Sequence, residues 1–148
     1  MRVLLDQGFP NPPGFKPAAL DATVEYIPLV QFAPELAKVS TPDWMVILAA
    51  ARGGFDALAV DDQELKDNEL CLIALCYAPI SLIAWTRGID AVTGWAQLVA
   101  YAPKIAKRRD PDACAGKAFV FRILDSIPGQ GFASGRSTVI GFPAGFKQ

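Results

Sequence analysis

The sequence predicts an α/β protein in which helices cover both faces of a central parallel sheet. Short apolar runs alternate with longer amphipathic stretches, and glycines or prolines mark several of the boundaries between them. Alternation of this kind is typical of parallel strands joined by crossover helices. The chain has 148 residues, of which 52% are hydrophobic and 20% charged, so it is large enough for one domain with its own core.

Four or five parallel strands are expected, and the first is a short buried strand over residues 1–5. Residues 8–17 form a loop after it, because their prolines exclude a regular helix. Residues 23–29 are β-branched and aromatic and predict a second strand, with Pro28 indicating a sheet edge or a strand end. A short helix over residues 33–38 is expected next.

A helix start is predicted in the middle of the chain. Thr41 suits a cap, Pro42 suits the first helical position, and Asp43 complements the helix dipole. This helix is expected to extend to Arg52, where two glycines follow. Beyond it we expect strands over residues 55–60, 81–85 and 118–123, and helices over residues 68–77 and 90–105.

The chain divides into a predicted domain of residues 1–124 and a C-terminal tail of residues 125–148 that is rich in Gly and Pro. The tail is expected to be loop, with room for a short strand over residues 138–142. Its phenylalanines are hard to bury in a small core, so they are candidates for a dimer contact or a partner groove. They are Phe132, Phe142 and Phe146.

Missing residue types argue against several classes of enzyme. The chain has no histidine, and its three cysteines form no CxxC pair. A structural zinc site and a Ser-His-Asp or Cys-His hydrolase are therefore not expected. Cys71 and Cys76 lie in an apolar run and are expected to be buried thiols. Carboxylates, lysine and tyrosine remain as groups that could carry catalysis.

Neither charge nor hydropathy singles out a polyanion or a membrane as partner. The net charge is −1, which is not typical of a nucleic-acid binder. No apolar run reaches the roughly 20 residues needed to cross a bilayer, and no signal-peptide pattern is visible. The expected location is the cytoplasm, and no membrane partner is expected.

Acidic residues follow two of the predicted strands. Asp6 ends the apolar run of the first strand, and Asp62 ends the run over residues 57–60. If the two strands are parallel neighbours, these acids meet at the carboxyl ends of the strands, where α/β sheets place their ligand crevices. Clustered carboxylates repel one another and are typical of sites for hard divalent cations. Asp43 and Glu64 are further candidates.

Each of these acids also has an ordinary structural interpretation. An aspartate after a strand is often a turn residue or a helix cap. A metal-dependent phosphodiesterase is the leading hypothesis, and it depends on the joint pattern rather than on any single acid.

The same stretches resemble PIN-like domains, and their small VapC-like branch in particular. Residues 1–6 resemble the first strand with its acid, and residues 41–55 resemble the acid-led helix with its glycine turn. Residues 58–65 resemble the acidic motif after a later strand. The likeness covers residues 1–123 and depends on the order and spacing of these motifs.

The resemblance implies a PIN-like three-layer α/β/α fold and a metal-dependent ribonuclease in which acidic residues hold Mg²⁺ or Mn²⁺. By position, Asp6, Asp43 and Asp62 match the catalytic acids. Asp6, Asp62 and Glu64 match metal ligands. The resemblance further implies an RNA substrate and the toxin half of a toxin–antitoxin pair, with a cognate antitoxin as protein partner.

Two positions depart from the family pattern. Gln7 follows Asp6 where many relatives carry an acid, and Asp61 stands where a basic residue is common. A basic side chain at position 61 could contact phosphate, whereas Asp61 adds repulsion. These departures keep open a catalytically weakened PIN-like domain that serves as a binding or assembly module.

A basic cluster near the end of the last predicted helix has two interpretations. Lys104, Lys107 and Arg108 could bind the phosphates of a substrate backbone. Cations also favour the C-terminal end of a helix, so a solvated helix terminus explains the cluster as well.

Aromatic side chains would form the interface of a binding module, and a homodimer is one candidate assembly. The candidates outside the tail are Trp85, Trp95, Phe119 and Phe121. Ordinary core packing is the competing interpretation and is favoured for Trp95 and Phe121. A phosphotransfer receiver is a weaker alternative, because it needs a lysine after the last strand, whereas Lys117 precedes that strand.

Overall fold

The computed structural model describes most of the chain. The described residues are 1–6, 8–9, 24–38, 40–61, 68–78, 80–85, 89–108, 116–123 and 137–147, with the backbone alone at 101–108, 123, 137 and 138. The strands are β1 Arg2–Leu5, β2 Glu25–Pro28, β3 Ala57–Val60, β4 Ser81–Trp85, β5 Lys117–Ile123 and β6 Ser137–Gly141. The helices are α1 Leu29–Phe32, α2 Asp43–Arg52, α3 Glu69–Tyr77 and α4 Ala91–Arg108, with a 3₁₀ turn at Pro34–Leu36.

The strands form one six-stranded sheet in the order β2-β1-β3-β4-β5-β6. The first five strands are parallel, and β6 runs antiparallel to β5. The end of the sheet where the parallel strands begin is termed the amino end, and the end where they finish is termed the carboxyl end. The predicted α/β class with a parallel sheet is confirmed, and the segment predicted as a tail supplies the sixth strand.

Side chains of the strands alternate between two apolar cores, so helices pack on both faces of the sheet. On one face, Leu4 and Leu58 belong to a core with residues of α2 and α3. On the other face, Val3 and Ala59 belong to a core with Trp95 of α4. Because a parallel sheet is covered on both sides, its central strands are mostly apolar. Every residue of β3 and β4 is accordingly buried.

Two predicted helix starts differ from the structure. The cap of α2 is Pro42 rather than Thr41, and no side chain donates or accepts a capping bond there, so the predicted threonine cap is wrong. The predicted helix over residues 33–38 is wrong in extent, since one turn of helix, α1, ends before Pro34 and a 3₁₀ turn follows. Pro34 has no N–H to continue the hydrogen bonds of α1.

An aromatic cluster fills the core between β4 and α4. Phe9, from the turn after β1, meets Trp85 and Trp95 edge-on, with ring centroids 4.8 and 5.3 Å apart. Gly94 lies so close to the Trp85 indole that a Cβ atom there would clash with the ring. Trp85, Trp95 and Phe121 are buried, which confirms the core interpretation and makes the interface interpretation of these three wrong.

The tail phenylalanines that the structure describes form a second aromatic group. Phe142 and Phe146 stack with ring centroids 5.0 Å apart, and Tyr77 at the end of α3 contacts both rings edge-on. Phe132 lies outside the described residues. The part of the tail that is described therefore packs on the body of the domain, at the amino end of the sheet.

Arg2 ties the amino end of the sheet together. Its backbone N–H donates to Asp56 Oδ2 at 2.8 Å, and its guanidinium donates to the Gly53 carbonyl at 2.8 Å. The guanidinium also lies 4.4 Å from the centre of the Phe55 ring and forms an ion pair with Glu25 at 3.4 Å. Hydrogen bonds, an ion pair and a contact with an aromatic ring therefore join Arg2 to its neighbours at this end of the sheet.

Two further expectations concern cysteine and hydropathy. Cys71 and Cys76 are buried, as predicted, and burial raises the pKa of the Cys76 thiol. Within the described part of the chain, no helix combines the length and the apolar character that a membrane span needs.

Candidate functional site

The strand order marks where a ligand crevice is expected. The connection after β1 leads to β2 on one side, whereas the connection after β3 leads to β4 on the other side. Since β1 and β3 are neighbours, the direction of winding reverses between them. In open α/β sheets, ligands bind outside the carboxyl ends of the strands at such a reversal. Asp6 and Asp61 directly follow these two strands.

The turn after β1 lies on the residue that follows β3. The Asp6 N–H donates to the Ala59 carbonyl at 2.9 Å, and the Phe9 N–H donates to the Asp6 carbonyl at 3.0 Å. Gly8 lies inside this turn, and a Cβ atom on it would stand 2.9 Å from Oδ1 of Asp61. Glycine therefore lets the turn approach the Asp61 carboxylate without displacing it.

Apolar packing holds this turn in place. Phe9 is buried, and its ring contacts Trp85 and Trp95 in the core beneath α4. Asp6 and Asp61 each keep part of their surface exposed. The two acids are thus attached to an anchored turn and a buried strand, and a ligand can reach both from solvent.

Among the described acids, Asp61 is the one that the fold brings to the turn after Asp6. The resemblance to PIN-like domains treats it only as a departure that adds repulsion. The signal in the sequence was its position, since Asp61 is the first residue after β3 just as Asp6 is the first after β1. Gly8 and Phe9 were missed because they fall in a stretch predicted as loop, where single residues carry no periodic pattern.

Asp43 also lies toward the carboxyl end of the sheet. It is the first residue of α2, and α2 leads into β3, so this helix runs against the strands and begins at their carboxyl end. Asp43 is exposed, and an acid in the first turn of a helix complements the dipole. Its catalytic role stays a prediction.

Two of the predicted acids, Asp62 and Glu64, lie outside the described residues. Asp62 directly follows Asp61 in sequence. Within the described ranges, no group of three or more His, Cys, Asp or Glu side chains comes together to hold a metal ion. The described part of the candidate site is therefore the Asp6 turn together with Asp61.

The predicted phosphate-binding residues lie on a helix that leads away from these acids. α4 connects the parallel strands β4 and β5, so it begins at the carboxyl end of the sheet and runs back toward the amino end. Lys104, Lys107 and Arg108 are in its last two turns. Their substrate-binding role stays a prediction, and the last turns of the helix lie toward the amino end of the sheet. Lys117 begins β5 at the amino end, so it does not supply the lysine that a receiver site needs.

One acid at the carboxyl end has a structural role. Asp90 precedes α4, and its two carboxylate oxygens accept hydrogen bonds from the Thr93 N–H at 3.0 Å and from the Thr93 hydroxyl at 2.6 Å. These bonds stabilise the ionised form and lower the pKa of Asp90. Helix capping therefore accounts for Asp90, and the candidate site does not need it.

Comparisons with models of known families, with curated proteins and with solved structures give no match for this chain. The class that the described fold and site define is an α/β domain with acids placed where the winding of a parallel sheet reverses. A closer assignment depends on the resemblance of the sequence to PIN-like domains.

Proposed function

We propose that the protein is a divalent-metal-dependent endoribonuclease with a PIN-like domain. One observation supports this most strongly: the Asp61 carboxylate lies against the turn that Asp6 opens, where the winding of the sheet reverses. The sequence resemblance supports RNA as the substrate and the toxin of a toxin–antitoxin pair as the biological role, with an antitoxin as partner.

The chemistry of these residues suits a hard cation. Two carboxylates near one turn repel each other. A divalent cation with oxygen ligands relieves this repulsion. Because the chain contains no histidine, a carboxylate site of this kind favours Mg²⁺ or Mn²⁺ over softer metals. Asp62 and Glu64 follow closely in sequence and would complete the ligand set.

In this mechanism the chain supplies position and charge. Asp6 and Asp61 would hold the cation, and the Gly8 turn keeps the ends of β1 and β3 in a constant relation. When bound, the cation would polarise a phosphodiester oxygen and lower the pKa of a water molecule. Carboxylate oxygens of the site would accept hydrogen bonds from that water and orient it in line with the bond that breaks. A chain without histidine can hydrolyse a phosphodiester in this way.

The test is cleavage of single-stranded RNA in Mn²⁺ or Mg²⁺ by the native protein, Asp6→Asn and Asp61→Asn. Loss of an outer-shell partner of a metal costs about 10- to 100-fold, so loss of a ligand should lower the rate at least about a hundredfold. Asp56→Asn is the matched control, because it changes the same residue type at the amino end, where an amide oxygen can still accept from the Arg2 N–H.

Calorimetric titration with Mn²⁺ in the absence of RNA gives a second readout. Native protein and Asp56→Asn should bind the ion, whereas Asp6→Asn and Asp61→Asn should bind it more weakly. Cleavage that survives both Asp6→Asn and Asp61→Asn contradicts the proposal, and so does a loss of cleavage that is equal in all three variants.

A second candidate function is a binding module that keeps the fold without catalysis. It is favoured by Asp61, which stands where the resemblance implies a basic residue. Asp61→Lys separates the two functions, because it removes a proposed metal ligand and restores a basic side chain that could contact phosphate. The variant should lose cleavage if Asp61 is a ligand, whereas a gain in RNA binding or cleavage supports a module weakened at this position.

A further inference from the structure

Gly94 lies near the start of α4 at a position where the helix itself does not need glycine. Its backbone is helical, and its N–H donates to the Asp90 carbonyl at 3.0 Å. Glycine weakens a helix relative to alanine, so its place here has another reason. A Cβ atom on Gly94 would clash with the six-membered ring of the Trp85 indole. Gly94 therefore lets the backbone of α4 lie directly on a side chain of β4.

The Trp85 indole has little room to move away from α4. Trp85 is 2% exposed, and its ring meets Phe9 edge-on with centroids 4.8 Å apart. Trp95, the residue after Gly94, is also buried and meets Phe9 edge-on at 5.3 Å. In a close-packed core, neighbouring side chains must take up the volume of any added atom. A change in how α4 packs on Trp85 is therefore passed to Phe9, which contacts both indoles.

Phe9 belongs to the turn that carries the candidate site. The Phe9 N–H donates to the Asp6 carbonyl at 3.0 Å, and the Asp6 N–H donates to the Ala59 carbonyl at 2.9 Å. Gly8, the residue before Phe9, lies so close to Asp61 that a Cβ atom on it would stand 2.9 Å from Oδ1. A shift of the Phe9 ring would therefore change both the hydrogen bond to Asp6 and the space beside the Asp61 carboxylate.

We propose that the contact between Gly94 and Trp85 sets the position of the turn after Asp6, and that the cation affinity of the candidate site therefore depends on how closely α4 packs on β4. Gly94 and Trp85 are positioning residues, because they act through Phe9. The first part of the proposal needs only the packing of the described residues. The second part rests on the proposed function, since it takes the site to hold Mg²⁺ or Mn²⁺.

Gly53 offers a matched control in the other core of the domain. A Cβ atom on Gly53 would also clash with an aromatic ring, that of Phe32, and this ring meets Phe55 at 4.9 Å. Phe32 and Phe55 pack on the face of the sheet opposite to Trp85 and Phe9. Gly53→Ala therefore disturbs aromatic packing as Gly94→Ala does, without touching the rings that support the turn after Asp6.

The first test is hydrogen exchange of single backbone amides, followed by NMR without metal. The Asp6 and Phe9 N–H groups report on the turn, and the Asp56 N–H, which donates to the Arg2 carbonyl at 2.8 Å, reports on the amino end of the sheet. In Gly94→Ala, exchange should quicken at least about tenfold more at Asp6 and Phe9 than at Asp56, because local opening is confined to the disturbed region. The control variant should show the reverse order.

A second change separates this contact from a general loss of stability. Trp85→Phe removes the outer part of the indole, which a Cβ atom on Gly94 would meet, and leaves a gap beside Phe9. Each change alone should quicken exchange at Asp6 and Phe9, whereas the double variant Gly94→Ala/Trp85→Phe should exchange more slowly than either, because the added methyl group fills the gap. If Gly94→Ala does not fold, the double variant is compared with Trp85→Phe alone.

Calorimetric titration with Mn²⁺ tests the second part in the same variants. Gly94→Ala should bind the ion at least about tenfold more weakly than the native protein, because small displacements of a site are costly. Gly53→Ala should bind it as the native protein does. The double variant should bind it more tightly than Trp85→Phe, in the same order as the exchange rates.

Two results overturn the first part of the proposal. One is exchange at Asp6 and Phe9 in Gly94→Ala that quickens no more than at Asp56, and the other is a double variant that exchanges no more slowly than Trp85→Phe. If the native protein and Asp6→Asn bind Mn²⁺ equally, the proposed metal site is wrong and the second part fails with it. If the native protein binds Mn²⁺ and Gly94→Ala binds it as tightly, the second part alone is wrong.

Discussion

The two ends of the sheet are built in opposite ways. At the amino end, Arg2 is matched by acids, by a carbonyl oxygen and by an aromatic ring. At the carboxyl end, the Asp61 carboxylate lies against Gly8 in the turn that Asp6 opens. This turn is held by the buried ring of Phe9 instead.

This difference separates a charge whose partners stabilise the fold from acids for which we propose a ligand. The hydrogen bonds and the ion pair of Arg2 favour the folded state at the amino end. At the carboxyl end, the buried ring of Phe9 holds the turn beside Asp61. Proteins depart from local rules mainly at functional sites.

The largest expected effect comes from removing a buried ring at either end. Phe9→Ala and Phe55→Ala should each lower the free energy of unfolding by about 3 to 5 kcal/mol, as buried phenylalanines do, and urea denaturation measures this. Only Phe9→Ala should also weaken Mn²⁺ binding, by about tenfold or more, because small displacements of a site are costly and Phe9 anchors the turn after Asp6.

Phe55→Ala is the control for general destabilisation, because Phe55 lies beneath Arg2 at the amino end. Mn²⁺ titrations of both variants are run at a temperature at which both are folded. If Mn²⁺ binding weakens equally in the two variants, Phe9 supports the metal site no more than Phe55 does, and the proposed difference between the two ends is wrong.

A smaller effect is expected from Arg2→Met, which keeps an unbranched apolar side chain and removes the guanidinium with its charge. Loss of the hydrogen bond to Gly53 and of the contact with the Phe55 ring should lower the free energy of unfolding by about 1 to 2 kcal/mol. Glu25→Gln should lower it by less than about 1 kcal/mol, because exposed ion pairs contribute little. Equal effects in urea unfolding would mean that the ion pair, not the hydrogen bond, holds this end.

The smallest effect concerns Asp90, the capping acid at the carboxyl end. Because its pKa is lowered, its ionised form stabilises the fold above the ordinary aspartate pKa of about 4, and this contribution fades as the pH falls through the lowered value. Thr93→Val removes the hydroxyl donor and keeps the N–H donor. The pKa of Asp90, followed by NMR titration, should therefore rise, and an unchanged value would contradict the assigned cause.

Most strands and the longer helices could be predicted from sequence because burial on both faces leaves a continuous apolar run. β4 was expected over residues 81–85 and is observed there. The end of α2 was predicted from two glycines, and Gly54 has a φ of 76°, a conformation that glycine adopts readily. The short helix before α2 was not predicted correctly. Pro34 has no N–H, so α1 ends before it and a 3₁₀ turn follows.

The candidate site was predicted only in part. Asp6 was identified from its place after a strand, and the structure puts it at the winding reversal. Asp61 was undervalued because its contact with Gly8 joins residues more than 50 positions apart, and no local pattern reports such a contact. Lys104, Lys107 and Arg108 were candidates for phosphate contact, whereas the direction of α4 takes its last turns toward the other end of the sheet.

The sequence by itself determined the α/β class, the apolar strands and the presence of acids at strand ends, since these follow from local periodicity and residue type. Only the tertiary structure decided which strands are neighbours, that Asp61 meets the turn after Asp6, and that β6 is the last described strand of the sheet. Strand order and the contact between distant turns depend on how whole elements pack. The energy of that packing comes from many residues across the core, so no short segment of sequence predicts it.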